Sequence, residues 1–518
     1  VKRLLLAILS FALPCGAQQV MSKSQVMAKS QILAANPVSV TGEWAYLQAT
    51  SGTTTGAGGW EVQDGACGTL GTSTACSFKI FATTAGSFLR AGITTGNNLT
   101  ISSAFSCVSS NPCLTGSGDK VDTFVNCTSS TCHIFNSGND NEDAWHVLGG
   151  AGGATIVTIN LSGTSTSFQF LEFKEYAPPN CSGTPCAMSI DNSGNGSTAS
   201  HSSAGCTPCT GPSFTLTGTN DLIVEQIDSG AGIASPSSPY ILDFIGDPAN
   251  LDTSSGAAIT FNTTNYFSLT AVAVKPATAY TAPSTPFSYI SQGIPGTTST
   301  TAPQTCSPGC PAITLPVTAN AGDLIFFHAQ VQPGSTQATI SSVVDNGSGG
   351  SANTWTVPSA ANTCKQTGGS VDLSCGYTVA TRTSTSTFTP TMSASTTAYF
   401  IYYVIRASSG TIALDTQNSS TSGVGSQTVT GQTLTLTNGG VGPDVCFAEL
   451  GWASASQIEW VAYLYPSPQG SNFFGGYGAN NAQGVSMMLL NARTGAAPKV
   501  LLSASTASQE SSGICFHN

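Results

Sequence analysis

Cys206-Thr207-Pro208-Cys209 has the spacing of a thiol-oxidoreductase pair. That chemistry needs the first thiol at a helix N-terminus, where the dipole lowers its pKa. The flanks here, His201 to Gly205 and Thr210 to Phe214, read as a loop entering a strand, so a structural disulfide is expected. The five histidines (His133, His146, His201, His328 and His517) are scattered and offer no His-x-x-x-His or Cys/His quartet at zinc spacing. His328 sits in an apolar run and reads as a hydrogen-bonded core residue. Calcium is the one cofactor candidate, at Asp140, Glu142 and Asp143 within Asn139-Asp140-Asn141-Glu142-Asp143. Asp191-Asn192-Ser193-Gly194-Asn195 resembles half a calcium loop but lacks the bidentate Glu. Such clusters also form ordinary turns, and the baseline expectation is no cofactor.

Glycoside hydrolysis requires two carboxyls facing each other across a cleft, ~5–10 Å apart. Glu225 and Glu449 stand in strands at comparable places in the two halves, whereas Glu172 and Glu175 fall on opposite faces of one strand. No Gly-x-Ser-x-Gly turn supports a serine nucleophile. The expected catalytic set is therefore empty. Sugar stacking is a further option, with Phe473, Phe474 and Tyr477 as the candidate carbohydrate-binding residues because aromatics beside glycines in a loop are often exposed. Trp460, Tyr463 and Tyr465 form the other aromatic-rich stretch.

What would position these groups is a β framework. Apolar runs of β-branched and aromatic residues are separated by Gly/Ser/Thr/Asn turns, and no long segment keeps a helical period. Only 8% of the 518 residues are charged, against 40% hydrophobic. The net charge of −11, with 14 Lys plus Arg, argues against nucleic acid and anionic membrane as partners. The expected fold is all-β: two tandem large β-sandwich (jelly-roll-like) domains, stapled by disulfides, each copy suiting one large sandwich or two small ones. Residues 1–17 read as a signal peptide and 18–40 as a lead segment. Copy one is expected over 41–277, a Pro/Thr linker over 278–286, and copy two over 287–518.

Five collinear matches carry the repeat. Ala85 to Leu89 answers Ala321 to Ile325, Ile101 to Ala104 answers Ile340 to Val343, and Phe168 to Phe173 answers Tyr399 to Val404. Ile190-Asp191 answers Leu414-Asp415, and Gly211 to Ile227 answers Gly431 to Leu450. Seventeen Cys become sixteen once Cys15 leaves with the signal. Sequence proximity suggests Cys67/Cys76, Cys107/Cys113, Cys127/Cys132, Cys181/Cys186, Cys206/Cys209, Cys306/Cys310 and Cys364/Cys375. Cys446/Cys515 then remains, closing the longest loop. No apolar run reaches the ~18–20 residues of a membrane span.

Gly322-Asp323-Leu324, then Ile340-Ser341-Ser342-Val343-Val344-Asp345, then Asn353-Thr354-Trp355, together with Leu414-Asp415, resemble a loose group of secreted bacterial tandem β-sandwich surface-protein modules. The resemblance covers most of copy two and, more weakly, copy one, which lacks Asn-Thr-Trp. It implies an extracellular, non-enzymatic structural or adhesive role, with the chain itself or a cell-surface glycan or protein as partner. A carbohydrate-binding protein is the alternative reading, and a secreted glycan hydrolase the second alternative.

Overall fold

The computed structural model describes residues 44–55, 63–95, 99–108, 113, 119–126, 133–135, 141–164, 169–179, 187–191, 200–202, 205–211, 213–219, 221–229, 237, 240–242, 248–253, 256–263, 267–277, 287–293, 304–332, 334–346, 352–360, 363–367, 371–422, 428–437, 444–453, 461–463, 471–474, 484–492, 499–501 and 508–518. The expected signal peptide, lead segment and linker lie outside them. The chain is all-β, and its antiparallel sheets fall into four successive groups.

The first group comprises β1 (Ala45–Thr55), β2 (Gln63–Thr69), β3 (Ala75–Lys79), β4 (Phe88–Thr95), β5 (Ile101–Cys107), β6 (Lys120–Thr123), β7 (Val125–Asn126), β8 (His133–Phe135), β9 (Asn141–Val147), β10 (Ile156–Leu161) and β11 (Gln169–Ala177). One sheet runs β1-β11-β4-β9-β7, and a second runs β3-β10-β5-β6. Leu89, Ala91 and Ile93 of β4 meet Phe78, Val157 and Ile159 of the second sheet between them. The second group comprises β12 (Met188–Ile190), β13 (Ser200–Ser202), β14 (Cys206–Thr210), β15 (Asp221–Ser229), β16 (Ile241–Leu242), β17 (Pro248–Thr253), β18 (Thr260–Thr263) and β19 (Phe267–Pro276). Its main sheet runs β12-β19-β15-β17-β16, with β14-β18 as the smaller one.

The third group comprises β20 (Phe287–Gly293), β21 (Gln304–Cys306), β22 (Ile313–Ala319), β23 (Leu324–Val331), β24 (Ile340–Asp345), β25 (Lys365–Gln366), β26 (Leu373–Val379), β27 (Ser384–Met392) and β28 (Thr396–Ala407). Its sheets run β20-β28-β23-β26-β25 and β22-β27-β24. The fourth comprises β29 (Ala413–Ser422), β30 (Thr428–Thr430), β31 (Asp444–Ala453), β32 (Val461–Tyr463), β33 (Ser471–Phe474), β34 (Gly484–Ala492), β35 (Lys499–Leu501) and β36 (Ser508–His517). Here β29-β36-β31-β34-β33 is the main sheet and β30-β35-β32 the smaller one.

One strand order recurs: the first strand of a group pairs with its last, the last with a central strand, and the central strand with a later one (β9, β17, β26 and β34). The central strands are β4, β15, β23 and β31. Even a bulge recurs, between Tyr46 and Gln48 in β1 and between Tyr289 and Ser291 in β20. Gly86 and Gly322 lead into β4 and β23 with φ of 84° and 95°, the left-handed region that a glycine enters without steric cost. Two of these layered groups fall within each stretch expected as one copy, and a strand run with both faces buried lets a second sheet pair stack on its outer side.

That stacking is seen in the burial. Every residue of β4 and of β23 is buried. Alternate side chains point to opposite faces of a strand, so one face of β23 (Ile325, Phe327, Ala329) fills its own sandwich. The other (Leu324, Phe326) meets Val445 and Phe447 of β31. Phe326 and Phe447 stack with ring centroids 4.0 Å apart. Likewise Phe88 of β4 meets Leu222 and Val224 of β15. The main sheets of groups one and two thus pack face to face, as do those of groups three and four. Between the outermost groups the joint is edge to edge. β32 pairs with β1 through Gln48↔Tyr463, Ala49↔Ala462 and Thr50↔Val461, so the first sheet continues into β30-β35-β32.

Among the described residues the disulfides are Cys67–Cys76, Cys107–Cys113, Cys206–Cys209, Cys306–Cys310, Cys364–Cys375 and Cys446–Cys515. Cys127, Cys132, Cys181 and Cys186 lie outside the described residues. Cys446–Cys515 ties β31 to β36 across a separation of 69 residues, against 4 for Cys306–Cys310. Loop closure makes the longer cross-link the stronger constraint on the unfolded chain. Replacing Cys446 and Cys515 by Ser is expected to cost about 3–4 kcal/mol, and replacing Cys306 and Cys310 about 2 kcal/mol. Denaturant unfolding of the two double variants checks the order.

Candidate functional site

The groups with chemical capacity collect at two places: the head of each central strand, and the seams between packed sheets. At the heads stand Ser87, Asp221, Asp323 and Asp444, all buried. The cross-strand neighbour in the last strand of the group lies one residue beyond a known pair. Beyond Tyr176, Val274, Ile405 and Phe516 come Ala177, Lys275, Arg406 and His517. Each Asp thus faces a basic residue, and Ser87 faces an alanine.

The four heads are satisfied differently. Asp323 accepts from Arg406 Nε and Nη2 at 2.9 and 2.8 Å and from the Asn320 amide at 2.7 Å. Ser87 donates to Glu175 Oε1 at 2.8 Å, and Gln48 Nε2 donates to Glu175 Oε2 at 2.6 Å. Burial pushes the Glu175 carboxyl up to about 7, against the pull of bonds from Thr84, Gln48 and Ser87.

Asp221 and Asp444 instead meet a second carboxyl. Burial first, and then Asp191, push Asp221 up to about 8. Burial and Asp415 push Asp444 up to about 8 as well. Neither oxygen of Asp221 or of Asp444 finds an N–H or hydroxyl donor. Two ionised carboxylates only accept, so each pair is cohesive when one member keeps its proton. Asp191 is the ionised member. Burial raises it, but Asp221, Thr217 and Gly218 together hold it at about 2, and Thr217 N and Gly218 N donate to it at 2.6 and 2.7 Å. Asp415, bonded by Thr437 N and Oγ1, is held below the usual carboxylate range in the same way, burial again opposing.

The seam between the third and fourth groups holds a Ser–His contact. His328 Nδ1 lies 2.7 Å from Ser486 Oγ, and Tyr403 Oη lies 3.0 Å from the same oxygen. Glu449 pairs with Ser486 on one side and Ser512 on the other, so its side chain shares their face. Ser486 and His328 are 0% and 1% exposed, and Glu449 1%. Burial lowers His328 to about 3 and raises Glu449 well above the carboxylate range. A neutral imidazole can still accept a proton, but His328, Ser486 and Glu449 all lie inside the packed seam. In the seam between the first and second groups, Arg90 donates to Val224 O at 2.6 Å and to Thr270 Oγ1 at 2.9 Å. Ser268 donates to Glu142 at 2.9 Å. Burial and then Arg90 lower His146 to about 4. The backbones come close here: a Cβ at Gly92 would stand 2.1 Å from Gln226 Oε1.

The residues expected from the sequence are dispersed. Glu142 and Asp143 are neighbours on β9 and point to opposite faces. Glu142 meets Ser268, while Asp143 accepts from the Ile101 amide at 2.7 Å inside its own sandwich. They cannot bind one ion together, and Asp140 lies outside the described residues. Among those residues no group of three or more His, Cys, Asp or Glu could hold a metal. Glu225 and Glu449 are not equivalent: Glu225 stands four residues after its strand head Asp221, and Glu449 five after Asp444. Glu225 therefore turns inward, toward Tyr240, whose hydroxyl is raised by burial and then by Glu225. Phe473 and Phe474 belong to β33, paired with β34, rather than to a loop. Tyr477, Trp460 and Tyr465 fall outside the described residues. Cys206–Cys209 is a disulfide on β14, a strand paired with β18. The Asp191/Asp221 and Asp415/Asp444 pairs escaped sequence reasoning, although Ile190-Asp191 and Leu414-Asp415 had marked themselves as recurring.

No protein-family model matches the chain, and no curated protein matches it by sequence.

A carboxyl whose folded pKa is raised binds a proton that the unfolded chain has released, so it takes stability away as pH rises toward the folded value. For Asp221 and Asp444 that window ends at about 8. His146 and His328, lowered to about 4 and about 3, act oppositely and only below their ordinary value of 6.5. Between pH 6.5 and 8 the carboxyls therefore dominate, and stability is expected to fall. Asp221→Asn and Asp444→Asn imitate the protonated form. Each is expected to be about 1–3 kcal/mol more stable than the parent at pH 8 and near neutral at pH 5. Thermal melts at the two pH values check this, and equal shifts at both would refute proton sharing.

Proposed function

We propose that this chain is a non-enzymatic extracellular protein with a structural or adhesive role, partnered by itself or by a surface glycan or protein. The observation that carries the reading is where the reactive residue types sit. His328, Ser486, Glu449, Glu142 and both dyad heads, Asp221 and Asp444, are sealed between packed sheets or at strand heads. The His328–Ser486 and Ser268–Glu142 contacts join neighbouring layers. A hydrolase needs such groups at a cleft, with the acid and the base reachable by substrate and water.

Two further features support this reading. The disulfides suit an oxidising compartment, where they persist. The surface is built on Ser, Thr, Gly and Asn with few charges, which suits hydrogen-bonded contact with other uncharged surfaces. No helix among the described residues is long and apolar enough to cross a membrane. Secretion through residues 1–17 belongs to the same proposal.

The test joins assembly and binding to catalysis. The purified, disulfide-intact chain is expected to form higher-order species in size-exclusion chromatography or to be retained on insoluble polysaccharide or cell-wall material. Glu449→Gln is expected to leave either behaviour unchanged, with no reducing sugar released by parent or variant. Release of reducing sugar that Glu449→Gln abolishes would replace this reading with the hydrolase. A strict monomer that binds no surface would remove it altogether.

A further inference from the structure

The smaller sheets of the four groups end differently, and the difference singles out one strand. In each smaller sheet the strand before the last of the group (β10, β18, β27 or β35) is a member, and in the three larger of these sheets it lies centrally. On one side of it comes the strand that follows the central strand of the main sheet. In the first group this is β5, whose free edge is covered by β6 through Phe105↔Thr123, Ser106↔Asp122 and Cys107↔Lys120. In the fourth it is β32, whose edge is covered by β1. In the second group the corresponding stretch is described only at Ser237, whose amide donates to Thr260 O on β18 at 2.7 Å. In the third it is β24, which among the described residues pairs with β27 and with no other strand.

From Ser342 onward the edge of β24 is unbroken and carries no Pro or Lys, two of the features that guard natural sheet edges. Its opposite number across β27, β22, carries Pro316 and a register break between Thr314 and Thr318. β24 breaks register only at its start. From Ser342 to Asp345 it runs evenly against Thr391 to Phe388, with no Lys, Arg or Pro. Val344 is 55% exposed, the highest value among large hydrophobics of the described residues. The one charge, Asp345, is already matched by Arg382 Nη2 at 3.0 Å to both carboxylate oxygens.

We infer that β24 is a self-association edge, pairing antiparallel with β24 of a second copy so that two three-stranded sheets merge into one of six. This rests on the structural reading above and names the partner as the chain itself. Antiparallel pairing of one strand with its own copy is a closed two-fold contact, which yields dimers rather than open filaments. The chain's own β1–β32 joint shows its sheet edges joining antiparallel through three residue pairs. With Asp345 held by Arg382, two such strands meet without unmatched like charges, and Val344 of each copy gains an apolar neighbour on the outer face. A short strand pair buries well under the ~1,200 Å² of a standard interface, so the dimer is weak and concentration-dependent.

Sedimentation velocity on the full, disulfide-intact chain over a wide concentration series tests this. The parent is expected to pass from monomer to dimer, and Val344→Lys and Ser342→Lys each to weaken the dimer at least tenfold with melting unchanged. Both side chains are exposed, so neither substitution disturbs a core. Val125→Lys, at an exposed position on β7, is the control and is expected to dimerise like the parent. Hydrogen exchange adds a direct readout: the amides of Ser342 to Asp345 are expected to slow as concentration rises. Association that survives both substitutions, or exchange at β24 that ignores concentration, overturns the β24 edge while leaving the structural reading in place. A monomer at every concentration that still binds surfaces overturns it in the same way, and a monomer that binds none removes both.

Discussion

An acid buried at the start of a central strand is the constraint on which the layered architecture depends. A carboxylate cannot be left ionised and unpaired in an apolar interior. The chain meets this demand in three ways. Arg406 supplies charge to Asp323, and Asp191 and Asp415 each share a proton with Asp221 and Asp444. In the first group the acid is moved across the strand, to Glu175, and the head itself is Ser87. The cross-strand position changes with it, from Lys275, Arg406 and His517 to Ala177. The head and its partners fix where the central strand begins. A one-residue slip of that strand would turn its two apolar faces inside out.

Those two faces explain the seams. β4 and β23 are buried throughout because each serves a core within its own sandwich and another against a neighbouring sheet. Polar residues in the second core, such as His328, Ser486, Tyr403 and Glu449, are spaced at alternate positions among the apolar ones. The bonds of His328 and Tyr403 to Ser486 constrain how the sheets may slide, since a displaced layer would strand buried donors and acceptors. Stacking of Phe326 on Phe447 supplies the apolar counterpart at the same depth.

Much of the framework was legible in the sequence. Alternating and continuous apolar runs gave the all-β class. The Gly-Asp turn before Leu324 and its weaker relative before Phe88 do head topologically matching strands, β23 and β4. Ile101 to Ala104 and Ile340 to Val343 fall on β5 and β24, and the aromatic runs fall on β11 and β28. Cys206 and Cys209 were read from their flanks as a disulfide, and His328 as a bonded core residue. Whether each copy is one large sandwich or two small ones stayed open in the sequence, because a run buried on both faces looks the same whether its outer neighbour is solvent-covering loop or another sheet. Glu142 and Asp143 misled through adjacency: side by side in sequence, they face opposite ways once extended. Ser486 carried no signal of its own, lying among many serines and acquiring its partners only when β34 packs near β23.

The edge joint between β1 and β32 also shapes how the molecule is made. Gln48 and Tyr463 are cross-strand neighbours, so the Gln48–Thr50 part of the first sheet's rim stays exposed through most of synthesis, until residues 461–463 emerge. Closing so long a stretch of chain is entropically slow, and proteins dominated by distant pairings fold late and with high contact order. During that interval the earlier groups have an unsealed rim that any extended segment could occupy. The order in which the polypeptide appears therefore sets its period of greatest vulnerability to misassembly.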